Sequence, residues 1–369
     1  MKTTEKIQTY LNDPTIVNVN TVSAHSDHKY FESLAEFSEG EMKLRQSLNG
    51  KWKIHYAQNT NQVLKDFYKT EFDESDLDFI NVPGHLELQG FGSPQYVNTQ
   101  YPWDGKEFLR PPQVPQESNA VASYVKHFTL NDALKDKKVF ISFQGVATSI
   151  FVWVNGNFVG YSEDSFTPSE FEISDYLVEG DNKLAVAVYR YSTASWLEDQ
   201  DFWRLYGIFR DVYLYAIPRV HVQDLFVKAD YDYQTKIGQL DIDLKTVGDY
   251  EDKKIKYVLS HHEGIVTEGD ESVNGDGELS VSLEDLQIKP WSADSPKLYN
   301  LTLHVLDDEQ VVEVVPVKVG FRHFEIKDKL MLLNGKRIVF KGVNRHEFNA
   351  RTGRCITEED MLWDIKVMK

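Results

Sequence analysis

The sequence predicts a mainly β protein in which two β-sandwiches follow one another and a single strand–helix unit comes after them. Three observations carry this. From Ser47 to Ile217, short stretches of alternating apolar residues are broken by Gly, Pro, Asn and Asp. At Pro218 the strands become plainer and more charged, with few Trp. Beyond Gly320 the pattern changes again, to one apolar run followed by apolar residues at helical spacing. A chain of 369 residues, at roughly 100–200 residues per domain, divides naturally at these points into 1–217, 218–322 and 323–369.

In the first domain, Val139–Phe143 and Ile150–Val154 read as strands. Asn155-Gly156 then accepts the positive φ angles of a tight turn, and Phe158–Tyr161 returns as the partner strand. Leu184, Val186 and Val188 alternate with Ala185, Ala187 and Tyr189, as expected of a strand with one face fully buried and the other partly buried. In the second domain, candidate strands lie at Val220–Val227, Gln239–Val247, Lys254–Ser260, Glu278–Leu283, Tyr299–Leu306 and Val311–Val319. Six or seven short strands in about 100 residues fit an immunoglobulin-like sandwich. In the third, Met331–Lys336 reads as a hairpin around Asn334-Gly335, and Arg337–Val343 as a buried strand. Thr357 is an N-cap with Asp360 three residues on, and Met361, Leu362, Ile365 and Met368 then fall at helical spacing. One strand and one helix cannot cover their own apolar faces, so the third region is expected to open a repeating α/β domain that has been cut off, with a helix prone to disorder or self-association.

Composition narrows the function. Hydrophobic residues are 41% and aromatics 13%, enough for a core with rings to spare. A net charge of −18, from 40 basic against 58 acidic residues, argues against tracking nucleic-acid phosphates. Acidic and aromatic-rich surfaces suit neutral hydroxylated ligands, although solubility alone also explains the charge. The single Cys355 excludes an internal disulfide, the charged start lacks a signal-type apolar run, and no 18 consecutive residues are apolar. A cytoplasmic location without membrane contact is expected.

Three clusters carry candidate chemistry. Trp196–Arg204 places Glu198, Asp199 and Asp201 among large apolar groups, so at least one acid needs a partner such as Arg204, Arg210, a cation or sugar hydroxyls. Tyr96–Gly105 offers Asn98, which both donates and accepts toward vicinal hydroxyls, and flat Tyr and Trp faces for the C–H side of a pyranose. Gly342–Glu347 follows the expected buried strand, where functional groups of an α/β barrel gather, and contains Arg345, His346 and Glu347. The bland readings are a salt-bridge knot, aromatic plugs and an Arg345–Glu347 pair. Cys355 lacks a His and acid pair at catalytic spacing and is expected to be inert. Phosphate loops, paired zinc cysteines and a Gly-x-Ser-x-Gly elbow are absent.

Taken in order, these clusters resemble the β-galactosidases of glycoside hydrolase family two, from about Leu11 to the last residue. The resemblance rests on Leu197–Asp201 with Gly207–Asp211, on Asn155-Gly156 with Tyr161, Asp164-Ser165 and Pro168–Phe171, on Trp291–Tyr299, and on Gly342–Glu347. Asn98-Thr99 before Tyr101-Pro102, with Asp201, points to the β-galactosidase branch rather than to β-glucuronidases or β-mannosidases. The resemblance implies a jelly-roll sugar-binding domain with an N-terminal arm, an immunoglobulin-like domain and the start of a TIM barrel. It implies that Asn98, Asp201 and His346 touch the sugar, that Asp201 also meets a sodium ion, and that Glu198, Asp199, Trp203, Arg345 and Glu347 support them. It further implies a retaining reaction whose acid/base and nucleophilic glutamates, with the main magnesium, lie beyond Lys369. On that reading the complete enzyme uses sodium and magnesium, the isolated chain holds neither tightly and is inactive, and its partners are β-galactosides such as lactose, the remainder of the enzyme and an oligomeric copy. Tyr10 and Thr193 stand where familiar members carry acids for a peripheral magnesium, which puts that site in doubt. The rival readings are a free-standing carbohydrate-binding module, a complementation fragment and a β-glucuronidase-like enzyme.

Overall fold

A computed structural model describes residues 3–198 and 201–369. The chain divides into two units, one built from 1–22, 45–216 and 345–369, the other from 23–44 and 217–344. Among the described residues no helix is long and apolar enough to cross a membrane.

The first unit is a two-sheet sandwich of the jelly-roll type that the sequence predicts. Its larger, antiparallel sheet runs Asn18–Val19, Asn157–Ser162, Ser149–Val154, Asp181–Tyr189, Val121–Thr129, Gly50–Ala57, Asp78–Val82. The smaller runs Ser169–Glu172, Lys138–Phe143, Val212–Ile217, Arg45–Ser47. The Asn155-Gly156 turn forms as expected, with φ of 48° and 80°, and joins Ser149–Val154 to its antiparallel neighbour. Central position explains Asp181–Tyr189: it is paired on both edges and covered on both faces. Leu184, Val186 and Val188 face one way; Ala185, Ala187 and Tyr189 face the other and are just as buried, correcting the expectation of a partly covered face. The extra layer is the helix Thr3–Asn12, through Ile7, Tyr10 and Leu11, together with Phe67, Tyr68 and Phe72, packed in one cluster in which Tyr10 meets Phe151 and Phe67 and Tyr68 meet Trp153.

The second unit contains a seven-strand sandwich in which the order Val220–Asp232, Ile237–Gly248, Glu278–Leu286 faces Gly264–Ser272, Lys254–His261, Tyr299–Asp307, Gln310–Val319. Leu240, Ile242 and Leu244 are buried while Asp243 and Lys245 face solvent, the clean alternation of a sheet with one wet side. The strand Gly264–Ser272 escapes sequence reading because it is a sheet edge with charged, exposed residues and no apolar alternation. The hairpin around Asn334-Gly335 forms, joined by Phe324–Lys327 into a small three-stranded sheet.

The expected buried strand Arg337–Val343 does not form. Pairing stops at Arg337, and Val339, Phe340 and Val343 are about two-thirds exposed. A barrel strand is held by ladders to two parallel neighbours, and none stands beside these residues among those described. The helix Glu358–Met368 does form, capped as predicted: Thr357 Oγ1 accepts the Asp360 N–H, and the Thr357 N–H donates to the Asp360 carboxylate. Leu362, Trp363, Ile365 and Val367 on it are exposed.

Candidate functional site

The site grows from a ribbon too short to be read from sequence. Gln95–Val97 pairs antiparallel with Phe202–Arg204, Val97 opposite Phe202 and Tyr96 opposite Trp203. One step further on each strand stand Asn98 and Asp201, so the register sets both at the same open end of the ribbon, and both are exposed. The Tyr96 and Trp203 rings sit 5.5 Å apart, inclined by 48°, and remain 50% and 47% exposed, an open aromatic pair beside the amide and the carboxylate. Tyr96 Oη donates to Asp201 Oδ1 at 2.6 Å, and this bond to a carboxylate pushes the phenol's pKa up. By contrast, Trp103 is buried against Trp196 and Tyr191; it is a plug, as the bland reading had it.

Alternation sends Arg204 inward, where its guanidinium lies 4.7 Å from the Phe202 ring centre. Next to it is the Arg354 guanidinium, within 4.9, 5.1 and 5.4 Å of the Phe209, Phe202 and Phe166 rings, with Nη2 donating to the Leu205 carbonyl. The Arg354 amide donates to His85 Nε2 at 3.0 Å. Gly353 before it has φ of +65°, and a Cβ there would stand 2.6 Å from His85. Burial first, and the Arg354 charge second, hold His85 neutral, its pKa lowered to about 3. Glu87 accepts the Tyr206 N–H at 2.9 Å, and burial pushes its carboxyl up to about 7. Sequence reading missed this floor because its partners come from distant stretches of chain. Beside it, burial raises the Cys355 thiol to about 11, which disfavours the thiolate.

Two of the acids are held by hydroxyls and amides. Glu198 accepts both the N–H and the hydroxyl of Ser165, at 2.9 and 2.7 Å, while burial drives its carboxyl upward. Glu163, almost wholly buried, accepts from Tyr161 Oη at 2.6 Å, Thr193 Oγ1 at 2.8 Å and the Ala194 N–H at 2.7 Å. Arg210 donates to the Phe166 carbonyl at 2.7 Å instead of to an acid. Hydroxyls and amides thus satisfy Glu198 and Glu163, and backbone carbonyls take the Arg210 guanidinium. Asp199 lies outside the described residues. The small cavity behind the ribbon, about 40 Å³ and lined by Ser165, Glu198, Phe202, Arg204 and Arg354, is too small for a pyranose.

Arg345 forms a forked pair with Asp364, Nε and Nη2 each at 2.7 Å, whereas Glu347 is 3.8 Å away; the expected Arg345–Glu347 pair is secondary. His346 and Glu347 are exposed, and no hydrogen bond or ion pair among the described residues ties them to the ribbon.

For metals, the donor chemistry differs between two places. Asp201 is an exposed hard oxygen donor, already shared with Tyr96 and fit to contribute to a sodium ion. Tyr10 is packed among Phe151, Phe158 and Tyr161, and Thr193 spends its hydroxyl on Glu163, so a peripheral magnesium finds poor ligands at these positions.

Comparison with known proteins adds to this geometry. Residues 45–218 match the model of the glycosyl hydrolases family 2 sugar-binding domain, 220–322 the model named for family 2 itself, and 324–369 the family's TIM barrel domain. The chain is 94% identical over 369 residues to a β-galactosidase of Streptococcus thermophilus, spanning 36% of that protein's length. It is 53% identical over 364 residues to a β-galactosidase of Clostridium acetobutylicum, covering 98% of this chain and 40% of the relative. Among solved structures, a Bifidobacterium dentium β-glucuronidase superposes with a TM-score of 0.71 over 89% of this chain and 56% of its own, at 16% identity, a likeness of fold alone.

Proposed function

Because this chain belongs to glycosyl hydrolase family 2, we propose that it furnishes the sugar-contacting edge of a β-galactosidase that cleaves terminal β-galactosides such as lactose by retaining double displacement. The observation that carries the reading is the ribbon end, where Asn98 and Asp201 stand together beside the open faces of Tyr96 and Trp203. Asn98 would exchange hydrogen bonds with vicinal hydroxyls, and Asp201 would accept from a hydroxyl while lending an oxygen to sodium. His346 would meet the sugar from the barrel side. A carboxylate at this position repels a uronate, which supports galactosides over glucuronides.

Double displacement requires two carboxyl groups about 5–5.5 Å apart. Glu198 is engaged by Ser165 and Asp201 by Tyr96, so neither serves as acid or nucleophile on this reading. The pair would come from the barrel of the whole enzyme, the domain this chain matches only over 324–369. The test is kinetics of the complete enzyme on a chromogenic galactoside and the matching glucuronide. Asp201→Asn is expected to lower kcat/KM for the galactoside about 10–100-fold, the usual scale of a hydrogen bond to a charged group. The reading fails if the variant leaves kcat/KM unchanged, or if the glucuronide is the better substrate.

A further inference from the structure

The second unit carries a cluster that sugar handling leaves unused. Lys254–His261 and Gly264–Ser272 are joined by the two-residue turn His262-Glu263, closed where His261 pairs with Gly264. Successive residues of a regular strand point to opposite faces. The turn breaks that alternation and brings the His261 and His262 rings to 3.9 Å, edge to face. His261 is backed by the ring of Tyr299 at 4.8 Å, a buried residue whose hydroxyl accepts the Lys289 N–H. One nitrogen from each imidazole and one oxygen of Glu263 all lie within 4.8 Å of one another. The spot already receives a cation, since the Lys289 ammonium sits 2.8 and 3.1 Å from the two Glu263 oxygens.

We propose that His261, His262 and Glu263 form a binding site for a divalent transition ion of the zinc class, with Lys289 as a counter-cation that the metal displaces. Two imidazoles and one carboxylate are the donor set of borderline ions; magnesium and calcium prefer oxygen alone. Tetrahedral ligation at about 2.0–2.1 Å sets donor atoms about 3.3 Å apart. The exposed His262 and Glu263 side chains therefore close in on a His261 already fixed by Tyr299, and water completes the shell.

The experiment is zinc titration calorimetry on the untagged chain, with the absorption spectrum of added cobalt reporting coordination geometry. The expected result is one zinc per chain and a tetrahedral cobalt spectrum, both lost in His261→Ala and in His262→Ala. Glu263→Gln weakens zinc binding at least about 10-fold, and Lys289→Met, which frees the carboxylate, tightens it several-fold, effects on the scale of altered metal shells. Absence of zinc binding, binding that survives both histidine substitutions, or a Lys289→Met chain no tighter than the parent would each overturn the proposal. The turn is exposed and outside the core, so these substitutions leave the circular dichroism spectrum unchanged.

Discussion

The two sandwiches solve the same packing problem with different numbers of layers. In the first unit, the strand Asp181–Tyr189 is buried on both faces, because the helix Thr3–Asn12 and the residues around Phe67–Phe72 cover the side of the large sheet that the small sheet does not. In the second, Ile237–Gly248 alternates wet and dry, and Asp241 and Asp243 on its outer face accept from Ser282 and Ser280 of the neighbouring strand. Polar burial follows the same division. The first unit buries acids and arginines around a ribbon that ends in open polar groups. The second buries Glu36 against the Glu32 and Lys43 amides, and a further pair where His221 Nδ1 meets Glu313 Oε1 at 2.5 Å and the Val222 N–H donates to Oε2 at 2.9 Å. A third layer thus frees the ends of a sandwich to carry chemistry, while a two-layer sandwich remains a spacer with regular strands.

The sharpest way to break this comparison is Trp153→Ala, at the meeting of sheet and third layer. It should cost about 3–5 kcal/mol in urea denaturation, confined to the transition of the first sandwich. An equal shift in the second sandwich's transition would mean that the two cores do not act separately. Next is Glu313→Ala, which strands His221 and the Val222 amide in a buried setting. A loss of about 3 kcal/mol, on the second transition only, is expected; a loss under about 0.5 kcal/mol, the scale of a surface site, would show that the pair does not anchor that unit.

The smallest effect sharpens the description of the ribbon's floor. Glu87 has a folded pKa of about 7 against an ordinary value of 4.5. A raised folded value means its contribution is complete below pH 4.5 and is lost as pH rises through about 7. Glu87→Gln keeps an acceptor for the Tyr206 amide and removes the ionisation, so above pH 7 it should be more stable than the parent and flatten the pH dependence of the first transition. A variant that tracks the parent from pH 5 to 8 would remove Glu87 from the account.

How much of this was legible in the sequence depended on the range of the interactions. Local signals were reliable: Asn155-Gly156, the Thr357 cap and the candidate strand Gln239–Val247 each follow from a few neighbouring residues. Gly264–Ser272 was invisible because edge strands are kept polar, and Arg337–Val343 was over-read because apolar β-branched composition marks a capacity for strand that only neighbours fulfil. The site was half legible. Asn98 and Asp201 were named through family resemblance, but the ribbon that joins them is three residues long on each strand and brings together stretches of chain about a hundred residues apart. The Arg354 floor carried no local signal at all, since its partners are His85, Phe166, Phe202, Leu205 and Phe209.

That floor has a consequence for biogenesis. On the ribosome, Phe166, Phe202 and Phe209 emerge long before the guanidinium that fills the space between them, and the whole second sandwich must be translated in the interval. The nascent first sandwich therefore waits with a greasy notch open to chaperones, and Arg354 closes it only after its neighbour has been synthesised.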